Sequence, residues 1–232
     1  MSSASSLLNL AICNGAKDAV KRFVTANQVV GLGSGSTMTV LVKELANLPY
    51  KRTLKLVATS IQIKIEAEKV GLRIADESNV NAIDVIFDGA DQIDSDFNMI
   101  KGGGGALFKE KVLISAANRV VILADVTKFV KQLTRPIPIE IHKFARSLLH
   151  KRLKEIGGNP KLRTIDKGYP YITENGNLIL DTSFSSIGSL RSKEIDLKSI
   201  PGVAEVGLFT SVDIYYKAKN DGSFEIIQPK LL

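Results

Sequence analysis

The sequence predicts an α/β fold: a domain with a parallel-rich sheet covered by helices in three layers, plus a smaller α+β domain. Three observations carry this. Short apolar runs recur at 28–32, 54–58, 83–87 and 120–124. Apart from Gln28, Lys55 and Asp84 their residues are apolar rather than alternating, as in strands buried on both faces, and the stretches between them have the 3.6-residue spacing of helices. Beyond about residue 134 this rhythm gives way to prolines, a di-glycine and an Asn-Gly turn, which mark a different layout.

Taken in order, residues 14–26 place Ala16, Val20, Phe23 and Val24 on one helical face, and Gln28–Leu32 is the first strand. Gly33–Thr37 is a turn with Ser36 or Thr37 available as helix cap, and Met38–Leu48 is a helix with Val40, Leu41, Leu45 and Leu48 inward, stopped by Pro49. Leu54–Ala58 is a strand, Ile61–Val70 a helix ended by Gly71, and Leu72–Ile74 a short third strand. Ile83–Phe87, helix Leu107–Ala117 and Val120–Ala124 complete the first rhythm, which makes the larger domain Rossmann-like. Arg135–Ile139 is a proline-marked connector. A helix over Lys143–Ile156 carries Phe144, Leu148, Leu149, Leu153 and Ile156 on one face until Gly157-Gly158. Leu162–Ile165 and Tyr171–Thr173 are strands, Asn175-Gly176 turns into Leu178–Leu180, and Ile195–Ile200 is a short helix. Strands at 206–209, 213–218 and 224–227 close the chain. The expected domains are 1–133 with 207–232, and 134–206.

The 232 residues suit one large domain or two small ones. At 44% hydrophobic and 24% charged, the chain can build a core without disulfides. The single Cys13 cannot form an internal disulfide, which fits the cytoplasm. The start, MSSASSLLNLAICNG, has neither a basic leader nor a long apolar stretch, so no signal peptide is expected. No apolar run approaches the ~20 residues of a membrane helix, and no membrane association is expected. Lys and Arg exceed Asp and Glu by 31 to 24, a net +7. The excess is scattered, densest at 143–154 and not interleaved with aromatics, which favours solvated surface or steering of small anions over nucleic acid.

The chemistry concentrates in Asp88–Lys111, DGADQIDSDFNMIKGGGGALFKEK. Asp88 and Asp91 stand at a strand's carboxyl end, where open parallel sheets bind ligands. Lys101 and Gly102–Gly105 put an ammonium group and bare amides before a helix that carries Glu110. Amides and a cation suit developing negative charge, and a carboxylate suits proton transfer. The plainer reading is a mobile glycine loop and a solvated Glu110 between two lysines. Upstream, GLGSGST at Gly31–Thr37 links strand to helix in the way of an anion-binding turn, with Ser34, Gly35, Ser36 and Thr37 as donors. It is no dinucleotide fingerprint: Ser36 replaces the third glycine and no acid follows the second strand. It is no nucleotide P-loop, since no lysine follows the glycines. His142 and His150 lie far from Asp88 and Asp91, so no metal is expected.

These three motifs, with ADVTK at 124–128, PIPIE at 136–140, ITENGNLILD at 172–181 and IPGVAEVGLF at 200–209, resemble the A-type ribose-5-phosphate isomerase family over nearly the whole chain. The resemblance implies an aldose–ketose isomerase of the pentose phosphate pathway, interconverting ribose 5-phosphate and ribulose 5-phosphate without cofactor or metal. It implies Glu110 as base and Asp88, Asp91 and Lys101 as further catalytic residues. It implies substrate contacts from Ser34–Thr37, Gly89, Ala90, Gly102, Gly103, Gly104 and Lys128, and a cytoplasmic homodimer or homotetramer. The chain departs from the family at Gln92, where Glu is common, at Ser34, where Thr is common, at Gly105, and at Cys13, where some members have Lys. The alternatives are a related phosphosugar deaminase or acyl-CoA transferase, or a phosphosugar-sensing regulator. A deaminase would want a histidine near its acids. A regulator would want a DNA-binding segment longer than the ~26 residues before the first strand.

Overall fold

The computed structural model describes residues 3–229 apart from 77 and 79, with the backbone alone at 3–5. The first helix, α1 (Ser3–Phe23), begins earlier than the spacing from residue 14 suggested and buries Ala11, Ala16, Ala19 and Val20. There follow β1 (Val29–Leu32), α2 (Ser36–Ala46), β2 (Lys55–Ala58), α3 (Ile61–Lys69) and β3 (Val85–Asp88). Next come β4 (Gln92–Ile93), β5 (Met99–Ile100), α4 (Leu107–Ala116), β6 (Val120–Asp125) and β7 (Ile137–Ile141). The remainder is α5 (Arg146–Glu155), β8 (Gly158–Leu162), β9 (Leu178–Phe184), α6 (Leu190–Lys198), β10 (Val203–Val206), β11 (Leu208–Phe209), β12 (Ile214–Ala218) and β13 (Phe224–Ile227).

The chain forms two compact units. One is Met1–Ala90, Lys109–Phe129 and Val212–Leu232; the other is Asp91–Phe108 and Val130–Ser211. The first unit holds a six-stranded sheet in the order β13-β12-β6-β3-β1-β2. All neighbours are parallel except the edge hairpin β12–β13. On one sheet face Val30, Leu32, Leu56, Val85, Phe87, Val121, Leu123 and Tyr216 join α1–α3 in a core. The alternate residues Val57, Ile86, Ile122 and Tyr215 point the other way and are buried too. Burial on both faces is what strands without polar alternation require. From β1 the chain moves outward to β2, then returns to place β3 on β1's other side. The sheet's topological switch point therefore lies between β1 and β3.

The second unit has an antiparallel sheet, β10-β7-β9-β8, and a small one, β11-β5-β4, with a core of Ile137, Ile139, Ile141, Leu149, Leu153, Leu180 and Val206. The sequence reading needs correction here. The proline-marked connector is the interior strand β7. Pro138 is tolerated because the β10 ladder stops at Ile139↔Val206, so Pro138 has a strand partner on one side only, Asp181. Its carbonyl still accepts from the Gly207 N–H at 2.8 Å. The strand expected at 162–165 lies at 158–162, and only a Thr164–Pro170 bridge stands where two strands were expected. Likewise 72–74 shrinks to one bridge, Ile74 with Leu56, since Leu72 alone of the three is buried. The helix expected at 195–200 runs over 190–198.

The helix expected at 143–156 opens with a 3-10 turn, Lys143–Ala145, before α5 begins. That turn takes Phe144 off the helix's spacing, while Leu148 and Leu149, neighbours inside α5 and about 100° apart, face different ways. Leu149 and Leu153 are buried, while Phe144 is 88% and Leu148 70% exposed. The two faces differ in what a truncation costs. Leu153→Ala should destabilise by about 2–5 kcal/mol in urea unfolding, and Leu148→Ala by less than about 0.5 kcal/mol. Equal costs would contradict this facing.

Candidate active site

In the first unit the candidate residues gather at the carboxyl ends of β1, β3 and β6. Gly33–Thr37 follows β1, Asp88–Ala90 ends β3, and Lys128 lies in the 3-10 turn Val126–Lys128 that follows β6. Asp88 is fully buried. Its Oδ1 accepts from the Gly89 N–H at 2.7 Å, and Gly33 stands directly before it: a Cβ at residue 33 would lie 1.9 Å from that oxygen. A glycine is thus required by the carboxylate rather than by backbone conformation. Gly33 N–H also donates to Phe87 O at 2.8 Å, which ties the turn to β3.

Glu110 occupies the first turn of α4 and is 2% exposed. The Ser34 hydroxyl donates to its Oε1 at 2.6 Å. A carboxylate in a helix's first turn is favoured by the helix dipole, and a buried one must be hydrogen-bonded. Gly33 touching Asp88 and Ser34 touching Glu110 bring the two carboxylates to one turn. The reading of Glu110 as a solvated residue between lysines is thereby overturned.

The α2 N-terminus lies just beyond. Its cap is Gly35 at φ 90°, with no side-chain cap bond, so neither Ser36 nor Thr37 caps the helix as expected. Gln62 supplies part of that role from α3: its Oε1 accepts from the Gly35 N–H at 3.1 Å and its amide donates to Thr39 Oγ1 at 3.3 Å. Ser36 is exposed and Thr37 half-buried. This leaves open amides at a helix N-terminus, a ready seat for an anion. Asp125 Oδ1 accepts from the Thr127 N–H at 2.8 Å and so shapes the turn that carries Lys128.

In the second unit the β4–β5 hairpin carries Asp91 back beside the glycine run, where Gly103 N–H donates to Asp91 Oδ2 at 2.7 Å. Asp94 closes the hairpin by accepting from the N–H groups of Asp96 and Asn98, at 2.9 and 2.8 Å. Lys101 is 2% exposed. Its N–H donates to Gly207 O at 3.0 Å, and its ammonium lies 5.5 Å from the Phe209 ring centre, a cation–π contact. Gly102 and Gly105 have φ of 104° and 80°, which only glycine adopts readily.

The contacts of other polar residues here were not read from the sequence. Gln92 accepts from the N–H groups of Thr134 and Arg135 and donates to Thr134 Oγ1. A glutamate there could not make that donation. Buried Glu140 accepts from Thr173, Asn175 and Asn177, so the asparagines flanking Gly176 serve a buried carboxylate as well as a turn. His142 accepts from the Phe144 N–H at 3.3 Å as the cap of the 3-10 turn. A cleft of about 590 Å³ in this unit has Asp94, Lys131, Arg135 and Ser189 in its walls but none of the candidate residues.

Fold and site together define a class: an open-sheet α/β protein with buried carboxylates and glycine turns at the carboxyl ends of parallel strands, equipped for acid–base chemistry. The chain belongs to the ribose 5-phosphate isomerase A (phosphoriboisomerase A) family, whose sequence profile matches residues 55–222. It is 40% identical over 207 residues to ribose-5-phosphate isomerase A of Methanosarcina acetivorans, covering 88% of each chain. Its fold is similar to that of ribose 5-phosphate isomerase A from Methanocaldococcus jannaschii, with TM-score 0.87 and 34% identity over 95% of this chain and 98% of the other. It is equally similar, TM-score 0.87 and 34% identity over 97% and 98% of the two chains, to a D-ribose-5-phosphate isomerase in complex with phospho-erythronic acid.

The steric origin of Gly33 is open to measurement. In a double-mutant cycle, Gly33→Ala and Asp88→Gly should couple by more than about 1 kcal/mol, because the second change removes what the first collides with. Gly35→Ala, whose Cβ would meet nothing within 4 Å, should add to Asp88→Gly within about 0.5 kcal/mol. Additivity in the first pair would refute the packing described.

Proposed function

We propose that this chain interconverts D-ribose 5-phosphate and D-ribulose 5-phosphate through an enediolate, with Glu110 as the base. The observation that carries this is the buried Glu110 carboxylate, oriented by Ser34 at the turn that also faces Asp88. Moving the carbonyl from C1 to C2 requires taking the C2 proton and returning one to C1. One carboxylate serves both steps if it faces both carbons. Asp88 and Asp91 move protons between the hydroxyl and carbonyl oxygens and assist ring opening. Lys101 and the Gly104 amide stabilise the enediolate oxygen, with Gly102 and Gly103 beside them, the Gly103 N–H being held by Asp91. The amides of Ser36 and Thr37, with Lys128, anchor the phosphate, and Gly89 and Ala90 line the sugar. Binding energy at the phosphate orients the reacting carbons.

The scheme requires Asp91, Lys101 and the glycine amides to act on the same substrate as Asp88 and Glu110. Family membership supports the reaction, and the matched span 55–222 includes Asp88, Asp91, Lys101, Glu110 and Lys128. The same resemblance supports a homodimer or homotetramer working in the cytoplasm. No described helix is long and apolar enough to cross a membrane.

The purified chain should convert ribose 5-phosphate at an undiminished rate in EDTA; loss of activity on chelation would contradict a metal-free scheme. Glu110→Gln should lower kcat by about 10²–10⁴-fold while substrate still binds. Near-normal turnover would remove Glu110 from the role of base. Lys128→Ala should raise KM about ten- to a hundredfold with kcat little changed, and an unchanged KM would exclude a phosphate contact.

A further inference from the structure

Four consecutive glycines carry no side chain to hold them and lose the most conformational freedom on ordering. The Gly102–Gly105 run is nevertheless held, and the means lie far along the chain. Arg163 Nη1 donates to Gly102 O at 2.7 Å and to Gly103 O at 3.0 Å. The Tyr171 hydroxyl donates to Gly104 O at 2.9 Å. Arg163 is itself fixed by Asp181, which accepts from Nε at 2.8 Å and from Nη2 on its second oxygen. The guanidinium carbon also lies 5.9 Å from the Tyr171 ring centre. Burial pushes the Tyr171 phenol above its ordinary value, with Arg163 opposing, so the hydroxyl stays protonated and a donor through the neutral range.

A trans peptide is planar, so each carbonyl and the following N–H point opposite ways. Holding three carbonyls therefore aims three amides. Gly103 N–H is aimed at Asp91 Oδ2 and Gly105 N–H at Gly102 O, at 2.7 and 3.0 Å. Gly104 N–H, turned away from Arg163, donates to no described residue. A cation on the Gly103 carbonyl also polarises that peptide and strengthens the Gly104 N–H as a donor.

We propose that Arg163, braced by Asp181 and joined by Tyr171, is the positioning residue that aims the Gly104 amide at the enediolate oxygen. It acts through the glycine backbone and touches no reacting atom. The inference rests on the isomerase reading and adds to it three residues outside the catalytic set. Losing one oriented oxyanion donor lowers kcat by on the order of 10²–10³-fold.

The test begins with wild-type turnover of ribose 5-phosphate; if that is absent, the isomerase reading itself fails. Given turnover, Arg163→Lys, which keeps the charge and loses the fork, should lower kcat about 10–10³-fold with KM within about threefold. Affinity for phospho-erythronic acid, which carries a carboxylate at its sugar end, should fall with kcat, while affinity for inorganic phosphate should not. Millimolar ethylguanidinium should restore part of the kcat lost in Arg163→Ala. Should either Arg163 variant fail to fold, Tyr171→Phe, which deletes one hydroxyl, should still lower kcat about three- to thirtyfold. Folded variants with wild-type kcat, or with a raised KM alone, would overturn the assignment.

Discussion

The Asp88 carboxylate occupies the space that any side chain at residue 33 would need, and this contact at the switch point shapes what surrounds it. It sits where β1 and β3 run side by side, with Leu32 paired to Phe87, so both strands deliver their ends to one place. A bare backbone at Gly33 lets the β1 turn cross in front of the carboxylate. Ser34 then falls where its hydroxyl meets Glu110, and Gly35 opens α2 with its first amides uncapped by side chains. One missing Cβ thus admits two buried acids and an anion seat within five residues. Burial of acids is costly unless each is hydrogen-bonded, and the Gly89 amide and the Ser34 hydroxyl each supply one bond, to Asp88 Oδ1 and Glu110 Oε1.

The second unit solves a different problem. Its Lys101–Gly105 stretch is almost pure backbone, so its shape comes from partners. Gly207 takes the Lys101 amide, Asp91 takes Gly103, and Arg163 and Tyr171 take the carbonyls between. The β7 carbonyl of Pro138 fixes Gly207 in turn, which ties a strand proline and a distant glycine into one construction. The result is a pliable sequence held in a single conformation by charged and polar anchors.

The parallel sheet was legible because β1, β2, β3 and β6 are apolar on both faces and alternate with helical spacing. β7 was not, because prolines argue against an interior strand until the end of the β10 ladder is known. β8 offered only Pro160 as a buried residue and no apolar run. A 3-10 turn that no spacing rule anticipates took Phe144 out of the phase of α5, and of the adjacent pair Leu148 and Leu149 the spacing did not say which one faces the core. At the site, the residues alone left Glu110 looking like a solvated helix position, and the family resemblance singled it out. The Arg163 clamp had no local signal, since its partners lie about sixty residues upstream.

The central claim is proton transfer by one carboxylate through an enediolate, and isotope tracing tests it most directly. Ribose 5-phosphate deuterated at C2 would be converted in ordinary water and the ribulose 5-phosphate read by NMR. The account predicts solvent hydrogen at C1 in a substantial fraction of product, all of it at one prochiral position, with a remainder of transferred deuterium at that same position. Complete retention of the label, as in a hydride shift, or its even spread over both positions, would contradict it.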